Sequence, residues 1–178
     1  ANNGAVTINP DGTWDYTPDV DFEGVDTFLV QVDDGLATST VLVEVTVVGI
    51  NDAPDAVSDS RIIFEDTPTA LMIPLPTDVD DAQTALLSII MQTPSSAQGT
   101  LTYVPDTTPG GTPVAVTSGM LLTNSELSTL VFTAQTGFLG TANPLVYITS
   151  DDEGATDAGS QATIDITVSD IPPVTTAT

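Results

Sequence analysis

The sequence predicts an all-β fold made of repeated β-sandwich units. Three observations carry this. The residue bias is towards Thr, Val, Asp, Gly and Pro, which suits strands and turns, while helix formers are scarce, with five Glu and no Lys. Apolar residues alternate with period two over long stretches. A set of short motifs also recurs about 116 to 118 residues apart, the size of one sandwich domain and far longer than a solenoid repeat.

Taken in order, Ala5–Asn9 and Thr13–Thr17 flank Pro10-Asp11-Gly12-Thr13, a hairpin signal. Phe28, Val30 and Val32 alternate towards Asp34-Gly35, which is expected to turn the chain into the next strand. There Val41, Val43, Val45 and Val47 share one parity, and Leu42, Glu44, Thr46 and Val48 the other. Such alternation describes strands with one face in a core. Thr123-Asn124-Ser125-Glu126-Leu127-Ser128 interrupts the pattern with a capping signature, so a single helical turn is expected between strands. Ala162, Ile164, Ile166 and Val168 restore the alternation near the end.

The repeat sets the boundaries. Phe22-Glu23-Gly24 precedes Phe28 to Gly35 as Phe138-Leu139-Gly140 precedes Leu145 to Gly154. Both are followed by a long strand and an Asp-x-Pro element, Asp52-Ala53-Pro54 and Asp170-Ile171-Pro172. Residues 1–50 are therefore expected to hold the later strands of one unit and 51–54 a linker. Residues 55–172 are expected to hold a complete unit and 173–178 the start of a further linker. The first unit, without opening strands, is expected to have an open edge or to borrow a strand. No basic, then apolar, leader opens the chain at Ala1, so it reads as a segment of something longer.

Charge narrows the chemistry. The 178 residues carry 25 acidic side chains and one basic one, Arg61, with no His and no Cys, for a formal charge of −24. Nucleic acid and anionic membrane surfaces need the basic residues that are missing. Cys/His metal sites, disulfides, and Ser-His, Cys-His or Lys nucleophiles are excluded by composition. Paired carboxylates could in principle cleave glycosides, but nothing in the sequence marks one as buried, so no enzyme is expected. At 40% hydrophobic residues the chain is too apolar for a disordered acidic tail, and no apolar run is long enough to span a membrane.

Phe28-x-Val30-x-Val32-x-Asp34-Gly35, Val43-x-Val45-x-Val47 and Asn51-Asp52-Ala53-Pro54 resemble the last two strands and the linker of cadherin repeats. Asp11-Gly12-Thr13-Trp14-Asp15-Tyr16-Thr17-Pro18 followed by Phe22-x-Gly24-x-Asp26-x-Phe28 is similar to the cadherin-like tandem repeats of giant bacterial RTX-type surface adhesins. Phe64-Glu65-Asp66-Thr67-Pro68, Thr77-Asp78-Val79-Asp80 and Glu126-Leu127-x-x-Leu130-x-Phe132 fit that repeat too. The resemblance implies cadherin/immunoglobulin-like Greek-key sandwiches that act as extracellular extenders, monomeric and stiffened by calcium (Ca2+) between neighbouring repeats. By position it implies Asp21, Glu23, Asn51, Asp52, Asp78, Asp80 and Asp151 or Asp152 as ligands of the first junction. At the second, Gly137-Phe138-Leu139 replaces Asp21-Phe22-Glu23, leaving Glu65, with Asp66, and Asp170, and weak or absent calcium binding is expected.

The chemistry is consistent without the family. Calcium takes six to eight oxygen ligands, and a short Asp on a loop supplies one at little entropic cost. The acids are 20 Asp to 5 Glu, many of them doublets at turns. Clustered acids without a cation repel. Plainer readings compete. Asp15, Asp55, Asp106 and Asp157 read as solvated surface, and Asp11 as a turn former. For Asp33 and Asp34 the turn and ligand readings stand level. Phe22, Phe28 and Phe138 read as core. An alternative function, an adhesive module gripping a glycan or protein, would use Trp14, Tyr16, Tyr103 and Tyr147, although aromatics are only 5% of the chain and core packing explains Trp14 and Tyr16 better.

Overall fold

The computed structural model describes residues 1–82, 84–106, 111–156 and 159–170. The expected second linker beyond Asp170, with Ile171 and Pro172, and the surface acid Asp157 lie outside the described residues. The chain divides into two units, Ala1–Asn51 and Asp52–Thr178.

The first unit is two hairpins. Strands β1 (Gly4–Ile8) and β2 (Trp14–Pro18) pair antiparallel, as do β3 (Gly24–Asp33) and β4 (Thr38–Val47). The first turn closes with Gly12 at φ 87°, a conformation glycine adopts freely, while Asp11 Oδ1 accepts from the Thr13 amide at 3.0 Å. Trp14 meets Phe28 edge to face at 5.2 Å and Tyr16 stacks on it at 6.4 Å, which joins the hairpins. Phe28 is accordingly buried.

A buried carboxylate reinforces this join. Asp26 lies on the same face of β3 as Phe28 and is 3% exposed. It accepts from the amides of Asn2, Asn3 and Thr27 and, at 2.9 Å, from the Tyr16 hydroxyl. Burial pushes against ionisation, but these four donors outweigh it and hold the Asp26 pKa at about 2, down from 3.8. A group with a depressed folded pKa stabilises above its unfolded pKa and loses that contribution as pH falls through the folded one. Acidification from pH about 4 to about 2 is therefore expected to loosen the first unit, as read by fluorescence of Trp14, the only tryptophan. Asp26→Asn is expected to lower stability at neutral pH and to flatten that acid limb.

The second unit is a sandwich. One sheet runs β10 (Leu121–Thr123), β7 (Leu87–Gln92), β13 (Leu145–Ser150), β14 (Gln161–Ser169), with β12 (Gly140–Thr141) and β5 (Asp59–Phe64) also on β14, the latter in parallel. The other runs β6 (Thr69–Ala70), β11 (Val131–Ala134), β8 (Gly99–Tyr103), β9 (Val114–Ala115). The chain passes between sheets repeatedly, as an all-β Greek-key sandwich does. The one helix among the described residues is α1 (Asn124–Ser128), where Thr123 and Glu126 form the expected capping box. The core between the sheets includes Leu101, Phe132, Leu145, Tyr147, Ile164 and Ile166. β14 alternates strictly, with Ala162, Ile164, Ile166 and Val168 inward.

The two units share a register. Val6 faces Tyr16 and Gly4 faces Pro18 in the first, and Leu101 faces Phe132 and Gly99 faces Ala134 in the second. Both glycines lie over the ring: an added Cβ would come within 2.7 Å of Tyr16 Cζ at Gly4 and 2.4 Å of Phe132 Cζ at Gly99. So β1, β2, β3 and β4 correspond to β8, β11, β13 and β14. The first unit has no described counterpart of β5 or β7, which cover the outer edges of β14 and β13. Val32 and Val41 are 60% and 55% exposed, whereas their counterparts Thr149 and Ala162 are at 0%.

Candidate metal centre

The second unit gathers carboxylates at one loop cluster. The backbone of Asp55 bridges Thr77 in both directions, at 2.8 and 3.0 Å, fixing the start of the loop Thr77–Asp81. Asp78 then forms an Asx-turn, its Oδ1 accepting from the amides of Asp80 (2.8 Å) and Asp81 (3.0 Å). This folds Asp81 back beside Asp78. Asp151, just past β13, joins them and is held by the Ala155 amide on its Oδ1 at 2.7 Å. Strand-end anchoring comes from the buried Ser160 hydroxyl, which donates to Pro54 O at 2.8 Å, and from the Thr149 amide on Ser160 O.

Two groups result. Asp78, Asp81 and Asp151 each place a carboxylate oxygen within 4.8 Å of the others, and Asp81, Asp152 and Glu153 do the same. An ion bound at about 2.4 Å from two opposite oxygens needs them about 4.8 Å apart. Asp151 is 4% exposed, and the Oδ2 atoms of Asp78 and Asp81 are buried with no hydrogen-bond donor. Buried carboxylate oxygens without donors are costly, so the donor set fits a hard divalent cation. Burial, then the charges of Asp152 and Asp78, raise the Asp81 pKa. A hydrogen bond with Asp152, then burial, raises that of Glu153.

The sign for Asp81 is the reverse of that for Asp26. A raised folded pKa means that ionised Asp81 weighs against the cation-free fold above its unfolded pKa, and that protonation relieves it. A cation held by the cluster would compete with protons for it. Calcium affinity is expected to fall steeply as pH drops from about 6 to about 4, more steeply than in Asp81→Asn. Isothermal titration across that range reads the difference.

Asp80 is exposed and belongs to neither group; its Oδ2 instead accepts from the Asp52 amide at 2.8 Å, tying the linker residue to the loop. The Asp52 side chain is exposed. In the first unit Asp21, at φ 60°, Glu23 and Asn51 are exposed, and Glu23 Oε2 lies over Gly49, 2.6 Å from where a Cβ would be. Asp33 and Asp34 build the β3–β4 turn: Asp33 Oδ1 takes the Gly35 amide and Asp34 Oδ1 those of Leu36 and Ala37. The Ala37 and Leu36 amides lower the Asp34 pKa. Glu65 and Asp170 come together, and a hydrogen bond with Asp170, then burial, raises the Glu65 pKa.

Asp81 and Glu153 were not singled out as ligands from sequence. Their signal was present in the acidic runs Asp78-Val79-Asp80-Asp81 and Asp151-Asp152-Glu153, but only the Asx-turn decides which acid points inward. The aromatic candidates are committed elsewhere. Tyr103 and Tyr147 are core, and burial pushes the Tyr147 hydroxyl up to about 12. Trp14 and Tyr16 pack on Phe28.

Residues 1–49 match the bacterial cadherin-like domain family. This cadherin-like segment takes in both hairpins and ends two residues before the linker residue Asn51. Among solved structures the chain is similar to chicken VE-cadherin EC1-2, with 13% identity over 93% of this chain and 78% of that one and a TM-score of 0.46. No curated protein matches the chain. No helix among the described residues is long and apolar enough to cross a membrane.

Proposed function

We propose that the chain is a calcium-rigidified extender of a bacterial cell-surface adhesin of the RTX type, with a structural and not a catalytic role. The observation that carries this is the pair of buried, donor-less oxygens on Asp78 and Asp81 beside buried Asp151. The cadherin-like match over residues 1–49 and the alternation of both units support the same reading. Calcium in the cluster would neutralise three carboxylates at once. Through Asp80, which holds the Asp52 amide, it would also stiffen the linker. By the resemblance, Asp21, Glu23 and Asn51 belong to the same ligand set. Extracellular modules of this chemistry bind calcium at about 10⁻⁴–10⁻³ M, which external fluids saturate and cytosol does not.

Small-angle scattering with and without calcium tests the extender role. A narrower distribution of end-to-end distances in millimolar calcium, reversed by chelator, is the expected outcome. Scattering that is the same in both conditions would rule the role out.

A further inference from the structure

An antiparallel sheet with one face in a core ordinarily turns a polar face to water. The part of the second unit's sheet formed by β10, β7 and β13 does not. Strand β7 turns Ser88 and Ile90 inward and Leu87, Ile89 and Met91 outward. Leu121 of β10 and Ile148 of β13 flank Ile89 in register, so three aliphatic side chains stand in one row, with Val146 next on β13. Leu121 is 60% exposed, and Leu87, Ile89 and Met91 are exposed too.

The patch also lacks charge. No Asp, Glu, Lys or Arg lies in β7, β10 or β13, although the chain carries −24. Carboxylates begin at its rim, with Asp151 directly after β13 and Glu126 just past β10. The neighbouring strand β14 returns to polar outward residues, among them Gln161 and Asp165, and the opposite sheet turns Thr100, Thr102 and Thr133 outward. The aliphatic patch is thus an exception within its own unit. The first unit repeats it in the corresponding hairpin. There Leu29, the counterpart of Val146, faces Leu42 across β3 and β4, and the two are 70% and 63% exposed.

We propose that this face is a contact between two copies of the chain, sheet face on sheet face about a two-fold axis. The aliphatic patch has no side-chain donor, acceptor or charge that a partner must match, so a copy presenting the same patch satisfies it. Approach through the faces that carry the acidic side chains sets like charge against like, which favours the uncharged patch as the meeting point. Three strands about 4.8 Å apart and six residues of about 3.3 Å each give about 280 Å² per copy. A stable complex needs about 800 Å² per partner, so the contact is weak and gains strength by repetition along an array. It goes beyond the extender role and needs no calcium.

Sedimentation equilibrium of the full chain in chelator tests it. In about 1 M salt the Debye length is about 3 Å and repulsion between the rims is screened. A dissociation constant of about 1 mM is expected there, so that the average mass at about 1 mM chain rises by about half above 18.3 kDa. At about 0.01 M salt the rise is expected to vanish. Leu121→Glu and Ile89→Thr, each at an exposed position, are expected to weaken association about tenfold while leaving the melting temperature close to that of the parent. Neutral phosphatidylcholine vesicles in the same buffer are expected not to bind. A mass that stays at 18.3 kDa in high salt, association that is unchanged in both variants, or vesicle binding in place of self-association would each overturn the assignment.

Discussion

Millimolar calcium is expected to raise the melting temperature of the second unit by about 5–10 °C, and Asp151→Asn to abolish most of that rise. With a dissociation constant of about 10⁻⁴–10⁻³ M, about 10 mM calcium is a ten- to hundredfold excess. Ligand that binds only the folded state then adds about 1.4–2.7 kcal/mol. Spread over a domain of this size, that is a shift of several degrees. Asn at position 151 keeps the shape and the acceptor that takes the Ala155 amide, but removes one charge from a cluster with Asp78 and Asp81. The variant should be at least as stable as the parent without calcium, because like-charge repulsion falls, and less stable with it. Calorimetry of both proteins in chelator and in calcium separates a ligand from a merely structural residue. A calcium-induced rise that is equal in the two would remove Asp151 from the site.

Phe132→Ala is expected to cost the second unit about 3–5 kcal/mol, a large share of the 5–15 kcal/mol typical of a domain. Phe132 is fully buried at the centre of β11 and supports β8 through Gly99. Removing the ring leaves a cavity, and the sandwich cannot collapse without moving paired strands. The complementary change, Gly99→Ala, should cost about 1–3 kcal/mol, because the new methyl meets both the ring and the Thr133 carbonyl, 2.5 Å away, and the carbonyl is backbone in a ladder. Chemical denaturation followed by circular dichroism measures both. Losses under about 1 kcal/mol for Phe132→Ala would mean that the ring is not where the core forms.

Much of the fold was readable because burial on one face imposes period two. The alternation of Phe28, Val30 and Val32 and of Ala162 to Val168 placed β3 and β14, and Thr123 with Glu126 placed α1. The correspondence of β1 with β8 was not seen. Gly4 and Gly99 are 95 residues apart and Tyr16 and Phe132 are 116, so the 21 extra residues in the second unit defeat a search at fixed spacing. Asp26 was readable only in part: an acid in step with Phe28 and Val30 belongs to the core face, but no periodicity locates its four donors, the amides of Asn2, Asn3 and Thr27 and the Tyr16 hydroxyl. The metal cluster shows the same limit. Sequence located the acidic runs, and the direction of each carboxylate was set by which backbone amides the neighbouring acid occupies. Asp78 takes the amides of Asp80 and Asp81, which leaves Asp80 to the linker and Asp81 to the cluster.

The most direct measurement is an anomalous-difference map from crystals of this chain grown with about 10 mM calcium. An ion is expected about 2.4 Å from carboxylate oxygens of Asp78, Asp81 and Asp151. A map without a peak there, or with calcium bound only at other residues while these three carboxylates stay unligated, would contradict it.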